Sequence, residues 1–305
     1  VSPRVNVVTR FAPSPTGPLH LGHAYSAMLA HDMAKAQGGT FLLRIEDIDR
    51  SRARPEWEAQ IYDDLRWLGL SWPEPALRQS DRLPTYRAAL ERLWQHDLLF
   101  ACSCNRRDIL DALGAPQEGT APPMGPDGPI YPGTCRETGR RHPGDPLPEE
   151  ALRLRIDMAE RAATAETPLS FTETGAGPDG ETDTIRVAPD LAATVGDIVL
   201  ARRDMGTSYH LAVVLDDAAQ GVTHVTRGRD LFEATQIHVL LQRLLGLPTP
   251  VYHHHRLIRD DTGKRLAKRD DARALAKYRA EGATPDDIRR LVGLPTSWHP
   301  PASSL

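Results

Sequence analysis

The chain predicts an α/β fold, a doubly wound Rossmann-type parallel sheet interrupted by an inserted α+β subdomain. Three observations carry this. Apolar runs at residues 5–8 and 41–45 alternate with helical periodicity over 24–36 and 56–68, which is the grammar of βαβ units. From about residue 102 that grammar changes, with Pro and Gly crowded into 114–133 and 167–180, as expected of an insertion with long loops. Beyond residue 191 the first pattern resumes and includes a strongly apolar helix over 236–245. The expected division is 1–101 for the first half of the main domain, 102–190 for the insertion, 191–295 for the second half and 296–305 for a Pro/Ser-rich tail.

Composition agrees with a globular enzyme-sized protein. A chain of 305 residues buries a large core. Charged residues make up 26% and no apolar run is long enough to span a bilayer, so a membrane partner is not expected. Val1-Ser2-Pro3-Arg4 leads directly into the first strand without a cleavable signal, so the expected location is cytoplasmic; a monomer is the expected state. A net charge of −4 argues on average against nucleic acid, yet Arg256, Arg259, Lys264, Arg265, Lys268 and Arg269 concentrate positive charge locally.

The segment Arg10-Phe11-Ala12-Pro13-Ser14-Pro15-Thr16-Gly17-Pro18-Leu19-His20-Leu21-Gly22-His23 places two histidines at a strand-to-helix corner. There a nucleotide phosphate meets free backbone N–H groups and the positive end of a helix. Gly22 admits close approach of the backbone, and His20 and His23 can donate to phosphate oxygens as charge develops. Taken alone, two surface histidines at a helix start fit the pattern equally well.

The wider context resembles the glutamyl/glutaminyl branch of class I aminoacyl-tRNA synthetases. Arg10 through His23 is similar to that family's signature, and three further blocks follow in family order. They are Phe41-Leu42-Leu43-Arg44-Ile45-Glu46-Asp47-Ile48-Asp49, then Tyr209 to Asp217 with Thr226-Arg227-Gly228-Arg229-Asp230, then Gly263-Lys264-Arg265-Leu266-Ala267-Lys268-Arg269 in the place of the Lys-Leu-Ser-Lys-Arg loop. The resemblance implies ATP contacts from Pro13, Gly17, His20, Gly22, His23, Arg265 and Lys268, with His20, His23 and Lys268 catalytic. It implies L-glutamate contacts from Arg10, Ala12, Ser14, Glu46, Tyr209 and Arg227. Arginine suits this work because its planar fork bonds both oxygens of a carboxylate. Read without the family, Glu46 fits a surface ion pair and Tyr209 fits a core position. Arg265 and Ala267 depart from the family's lysine and serine, leaving Lys268 as the main phosphate donor of the loop.

The three cysteines all fall in the insertion, as Cys102-Ser103-Cys104 and Tyr131-Pro132-Gly133-Thr134-Cys135. An odd number cannot pair completely, and the clustering suits tetrahedral thiolate zinc with one more donor needed; inert reduced thiols are the alternative. This Cys-x-Cys and Tyr-x3-Cys pattern, with the short chain, resembles the truncated queuosine-type members of the family. That likeness implies one structural zinc on Cys102, Cys104, Cys135 and Tyr131, with His142 in reserve. It also implies glutamate activation without tRNA.

Only 36 residues follow Arg269, too few for the anticodon-binding domain of a full-length glutamyl-tRNA synthetase. The resemblance therefore implies transfer of glutamate to queuosine in the anticodon of tRNA(Asp), with Mg2+ entering alongside ATP. A catalytic core charging tRNA(Glu), a small-molecule nucleotidyltransferase and a non-catalytic RNA-binding paralogue remain as alternatives.

Overall fold

The computed structural model describes residues 6–114, 122–139, 144–259 and 273–296. The first strand, β1 (Val8–Phe11), leads through the Pro/Gly turn into helix α1 (Leu21–Ala36). Four alanines of α1, Ala24, Ala27, Ala30 and Ala34, are fully buried and let the helix lie close on the sheet. β2 (Thr40–Ile45) returns parallel to β1, with Val8 opposite Thr40. Gly39 permits that return, since a Cβ there would fall 2.0 Å from Val7 O. α2 (Pro55–Trp67) begins with proline in its first turn, followed by Glu56 and Glu58, as the positive end of a helix favours. β3 (Leu77–Arg78) then adds parallel to β2.

The chain crosses over through α3 (Leu83–Gln95) into β4 (Leu99–Cys102) and α4 (Arg106–Gly114). A short hairpin follows, β5 (Met124–Gly125) with β6 (Gly128–Pro129), and then β7 (Ala151–Leu154), α5 (Ile156–Thr164), β8 (Ser170–Glu173) and β9 (Asp183–Arg186). α6 (Leu191–Thr194) and β10 (Val199–Ala201) complete this region. β4, β7 and β10 form an antiparallel sheet in the order β10-β7-β4.

α7 (Tyr209–Ala219) starts on a Ser208 cap whose hydroxyl accepts from Leu211 N. β11 (His224–Gly228), α8 (Thr235–Leu245) and β12 (Val251–His255) make a parallel βαβ unit in which Arg227 lies opposite His254. Gly246 ends α8 in the left-handed conformation at φ 68°. α9 (Leu275–Ala280) and α10 (Pro285–Val292) close the described chain, α10 starting on a Thr284/Asp287 capping box.

The parallel sheet β1-β2-β3 and the sheet β11-β12-β8-β9, parallel except for its edge strand β9, abut through β1 and the start of β11. Thr223 N donates to Val8 O at 2.9 Å and Val8 N donates to Thr223 Oγ1 at 2.9 Å. One apolar core lies around α1, β1, β2 and α10, and a larger one joins α3, β4, β7, α5, α7 and α8. The architecture is mixed α/β.

Two elements differ from expectation. Among the described residues the first strand runs over Val8–Phe11, further along than the apolar run suggests, which brings Arg10 into the strand itself. Within the expected insertion, 102–190, β8 pairs parallel with β12 at Glu173 and Tyr252, so this part packs with the parallel sheet. Pairing decided this, because an alternating four-residue strand carries no signal for which sheet it joins. No helix among the described residues is long and apolar enough to cross a membrane.

Candidate active site

The histidine corner is built by α1's own start. Gly22 N donates to His20 Nδ1 at 3.1 Å and His20 N donates to His23 Nδ1 at 3.1 Å, so each ring satisfies a backbone group that the helix leaves without an internal partner. A ring nitrogen that accepts is unprotonated, which puts the proton of each neutral imidazole on Nε2. The rings lie against each other with centroids 3.8 Å apart and planes tilted by 38°. Gly22 makes this possible, since a Cβ would fall 3.0 Å from His20 Cε1. The Pro13 to Gly17 loop is moored to the segment after β2, as Glu46 N donates to Pro13 O at 3.0 Å and Arg54 N to Pro15 O at 3.0 Å. Pro13 and Gly17 are buried, Ala12 is half-buried and Ser14 is exposed.

Behind this loop lies a buried charge network. Arg10 grips Asp217 with two bonds, Nε to Oδ1 at 2.9 Å and Nη2 to Oδ2 at 3.2 Å. Arg44, fully buried, donates to the same Oδ1 at 2.7 Å, to Gln220 Oε1 at 3.0 Å and to Glu46 Oε1 at 3.4 Å. Burial works against the Arg44 charge, but Asp217, Glu46 and Asp216 outweigh it and raise its pKa. Burial likewise opposes the Asp217 charge, yet Arg10 and Arg44 hold its carboxyl below the usual value. At Glu46 burial wins over Arg44 and Arg10, and the carboxyl is pushed up.

Arg227 is buried on β11 in a different setting. Its Nε donates to His254 Nε2 at 3.1 Å, Nη1 to His238 Nδ1 at 3.0 Å and Nη2 to Thr235 Oγ1 at 2.7 Å, and its guanidinium lies 5.2 Å from the Tyr252 ring centre. All these partners are neutral groups. No carboxylate among the described residues lies within ion-pair distance of Arg227. Guanidinium only donates, so His254 carries its proton on Nδ1, where Glu173 Oε2 accepts at 2.5 Å. Burial and the Arg227 charge both lower the pKa of His238 and hold it neutral.

Tyr209 joins these groups. Burial raises its pKa, and the charges of Arg227, Glu46, Arg10 and Asp217 all act on its phenol. Ser14, Thr16, Glu46 and Tyr209 line a cleft of about 940 Å3 that continues to Cys102, Cys104 and Tyr131. Neither His20 nor His23 lines this cleft among the described residues.

At the far wall the sulfurs of Cys102, Cys104 and Cys135 lie within 4.8 Å of one another. Tyr131 Oη stands among them, 3.4 Å from Cys102 Sγ and 3.5 Å from Cys104 Sγ, and accepts from Cys135 N at 2.8 Å. A tetrahedral zinc needs sulfurs about 3.8 Å apart and an oxygen about 3.5 Å from each sulfur, given its usual bond lengths. The donor set fits that requirement. Arg153 stacks 3.9 Å over the Tyr131 ring and donates to Cys102 Sγ at 3.3 Å, which favours negative charge on these ligands. Burial opposes the Cys135 thiolate, but hydrogen bonding to Tyr131 and Ser103 overcomes it and brings the thiol down to about 6.

Lys264, Arg265, Lys268 and Arg269, and the reserve ligand His142, lie outside the described residues. Sequence reasoning missed Arg44, Asp217, His238 and His254. The first two stood inside quoted blocks without an assigned role, whereas the two histidines are brought to Arg227 only by the pairing of β11 with β12 and α8.

The family model for tRNA synthetases class I (E and Q), catalytic domain, matches residues 6–300. The chain is 69% identical over 289 residues to the glutamyl-Q tRNA(Asp) synthetase of Rhodobacter capsulatus, covering 94% of this chain and 100% of that one. It is 42% identical over 290 residues to the glutamyl-Q tRNA(Asp) synthetase of Symbiobacterium thermophilum, covering 92% and 83%. Among solved structures it resembles a glutamate tRNA ligase from Elizabethkingia meningosepticum in complex with its amino acid, with a TM-score of 0.71 and 27% identity. That match covers 94% of this chain and 60% of the ligase, so the chain spans about three fifths of the solved enzyme's length. The chain belongs to the class I glutamyl- and glutaminyl-tRNA synthetase catalytic-domain family, a family of ligases, and within it to the glutamyl-Q tRNA(Asp) synthetases.

Proposed function

We propose that this protein activates L-glutamate with ATP, without tRNA, and transfers it to queuosine in the anticodon of tRNA(Asp). The observation that carries the amino-acid half is Arg227, a buried cation whose partners are all neutral. A buried charge in that state calls for an anion, and a carboxylate of glutamate supplies one. Arg10 stands differently, because Asp217 already takes two of its N–H groups. It contributes to the pocket chiefly through the field it shares with Arg44. Glu46 faces the incoming α-ammonium, whose arrival favours its ionised form. Tyr209 lines the pocket between these charges, with Ala12 and Ser14 from the loop.

In the first step a carboxylate oxygen of glutamate attacks the α-phosphorus of ATP in line, and pyrophosphate leaves. Charge grows on the phosphate oxygens. The Nε2–H groups of His20 and His23 donate to them, with Pro13, Gly17 and Gly22 shaping the backbone around the nucleotide. Lys268 and Arg265 complete the clamp, and Mg2+ enters with the ATP phosphates. In the second step a hydroxyl of the cyclopentene-diol attacks the acyl carbon; an ester forms, AMP leaves, and the hydroxyl proton is released. We assign the modified base to the cleft of about 940 Å3 that runs from Tyr209 to Tyr131.

One structural zinc on Cys102, Cys104, Cys135 and Tyr131 holds this wall of the cleft. The two parallel sheets act as one doubly wound sheet seamed at Val8 and Thr223, which sets the histidine corner beside β11. Glutamate-dependent ATP–pyrophosphate exchange by the purified protein alone tests the reading. Exchange without RNA is expected; exchange only after addition of tRNA(Glu) would transfer the assignment to a tRNA(Glu)-charging core.

A further inference from the structure

Arg227 fixes the protons of a chain of side chains that runs from the amino-acid pocket to the inserted hairpin. Its Nη1 donates to His238 Nδ1, so His238 is neutral and carries its proton on Nε2. That nitrogen lies 3.1 Å from His210 Nδ1, which must therefore accept. The proton of neutral His210 is then on Nε2, and Nε2 stands 3.2 Å from Asp127 Oδ1. His238 and His210 are buried, while Asp127 is exposed at the tip between β5 and β6.

The hairpin is firmly seated at its other side. A Cβ on Gly125 would fall 2.9 Å from Thr194 O, and a Cβ on Gly196 would fall 2.8 Å from the Ile130 side chain. With the hairpin so seated, Asp127 stands 3.2 Å from His210 Nε2. A mirror arrangement holds the other edge of the guanidinium, where Glu173 orients His254. Two imidazoles thus clamp one arginine, His254 backed directly by Glu173 and His238 backed through His210 by Asp127.

We propose that His238 and His210 are positioning residues for Arg227 and that Asp127 terminates their chain, so that the inserted hairpin sets the orientation of the guanidinium. The inference rests on the reading that Arg227 takes a glutamate carboxylate. It makes the seating of the insertion a determinant of amino-acid affinity.

The test uses the full chain in pyrophosphate exchange. Asp127→Ala removes an exposed group and spares the core; it is expected to raise the glutamate KM about three- to tenfold while the ATP KM is unchanged. In a His238→Gln background the same change adds nothing, because the link to Arg227 is already cut. 15N spectra of histidine-labelled protein should show an unprotonated Nδ1 and a protonated Nε2 for both His238 and His210, a signature independent of activity. A glutamate KM unmoved by Asp127→Ala but raised by Arg227→Ala overturns the inference and leaves the pocket reading standing. Additive effects in the double variant, or a proton on His238 Nδ1, overturn it as well. A glutamate KM unmoved by Arg227→Ala would overturn the pocket reading and this inference with it.

Discussion

Arg10 and Arg44 converge on one oxygen: Asp217 Oδ1 accepts from Arg10 Nε at 2.9 Å and from Arg44 Nη1 at 2.7 Å. This joins β1, β2 and α7 by charge as well as by packing. The arrangement separates the arginines into two kinds. Arg10 and Arg44 are compensated within the protein, whereas Arg227 has its nearest carboxylate, Glu173, one imidazole away.

Asp217→Asn should therefore be costly to the fold. It leaves two buried guanidinium groups without their shared anion, a loss of about 3–5 kcal/mol of unfolding free energy by the usual cost of breaking a buried pair. Urea denaturation of the variant measures it. A loss under about 1 kcal/mol would mean that Glu46 and Gln220 compensate both cations by themselves.

Arg227→Ala should act on substrate rather than on the fold's other ion pairs. The glutamate KM is expected to rise by a factor of about 30 or more, equivalent to at least 2 kcal/mol, while ATP binding changes little. Unchanged glutamate kinetics would place the specificity on another arginine, with Arg10 first in line.

Zinc removal tests the far wall of the cleft. The purified protein should carry about one zinc per chain, and Cys104→Ser should release it because the coordination depends on every thiolate. Transfer to RNA should suffer more than ATP binding. Three freely titrating thiols in a metal-free native protein would contradict the site.

Acid should weaken the protein through histidines that are buried neutral. Burial pushes His255 down to about 4, with Ser26 at its Nε2 and Arg256 O accepting from Nδ1. His238 and His254 are lowered as well. In the unfolded chain these groups take protons below about pH 6.5, while the folded state resists. Stability is thus expected to fall as pH drops from about 6.5 toward 4, by up to about 1.4 kcal/mol per pH unit for each such histidine. Urea midpoints across that range check the slope, and His255→Gln should lessen it by one proton. A pH-independent midpoint would show that these rings take up protons in the native state as readily as in the unfolded chain.

The helices α1, α2 and α8 were legible because their apolar spacing is local, and the histidine corner was legible because a capped helix start is contiguous in sequence. Glu46, Tyr209 and Arg227 came from family order, since nothing in an acidic run or a lone tyrosine announces a pocket. What escaped was whatever depends on pairing across the chain. β8 joins β12 through Glu173 and Tyr252, and that registry delivers Glu173 to His254 and His254 to Arg227.

The most direct measurement of the central claim is the acceptor. The protein is supplied with labelled glutamate and ATP and offered tRNA(Asp) carrying queuosine, the same tRNA with guanine at that position, and tRNA(Glu). Attack by the cyclopentene-diol depends wholly on the modified base, so label is predicted on the queuosine-containing tRNA alone. Periodate should abolish it by cleaving the diol, even when aspartylation protects the acceptor-end ribose. Label on tRNA(Glu), or on tRNA(Asp) lacking queuosine, would contradict the account.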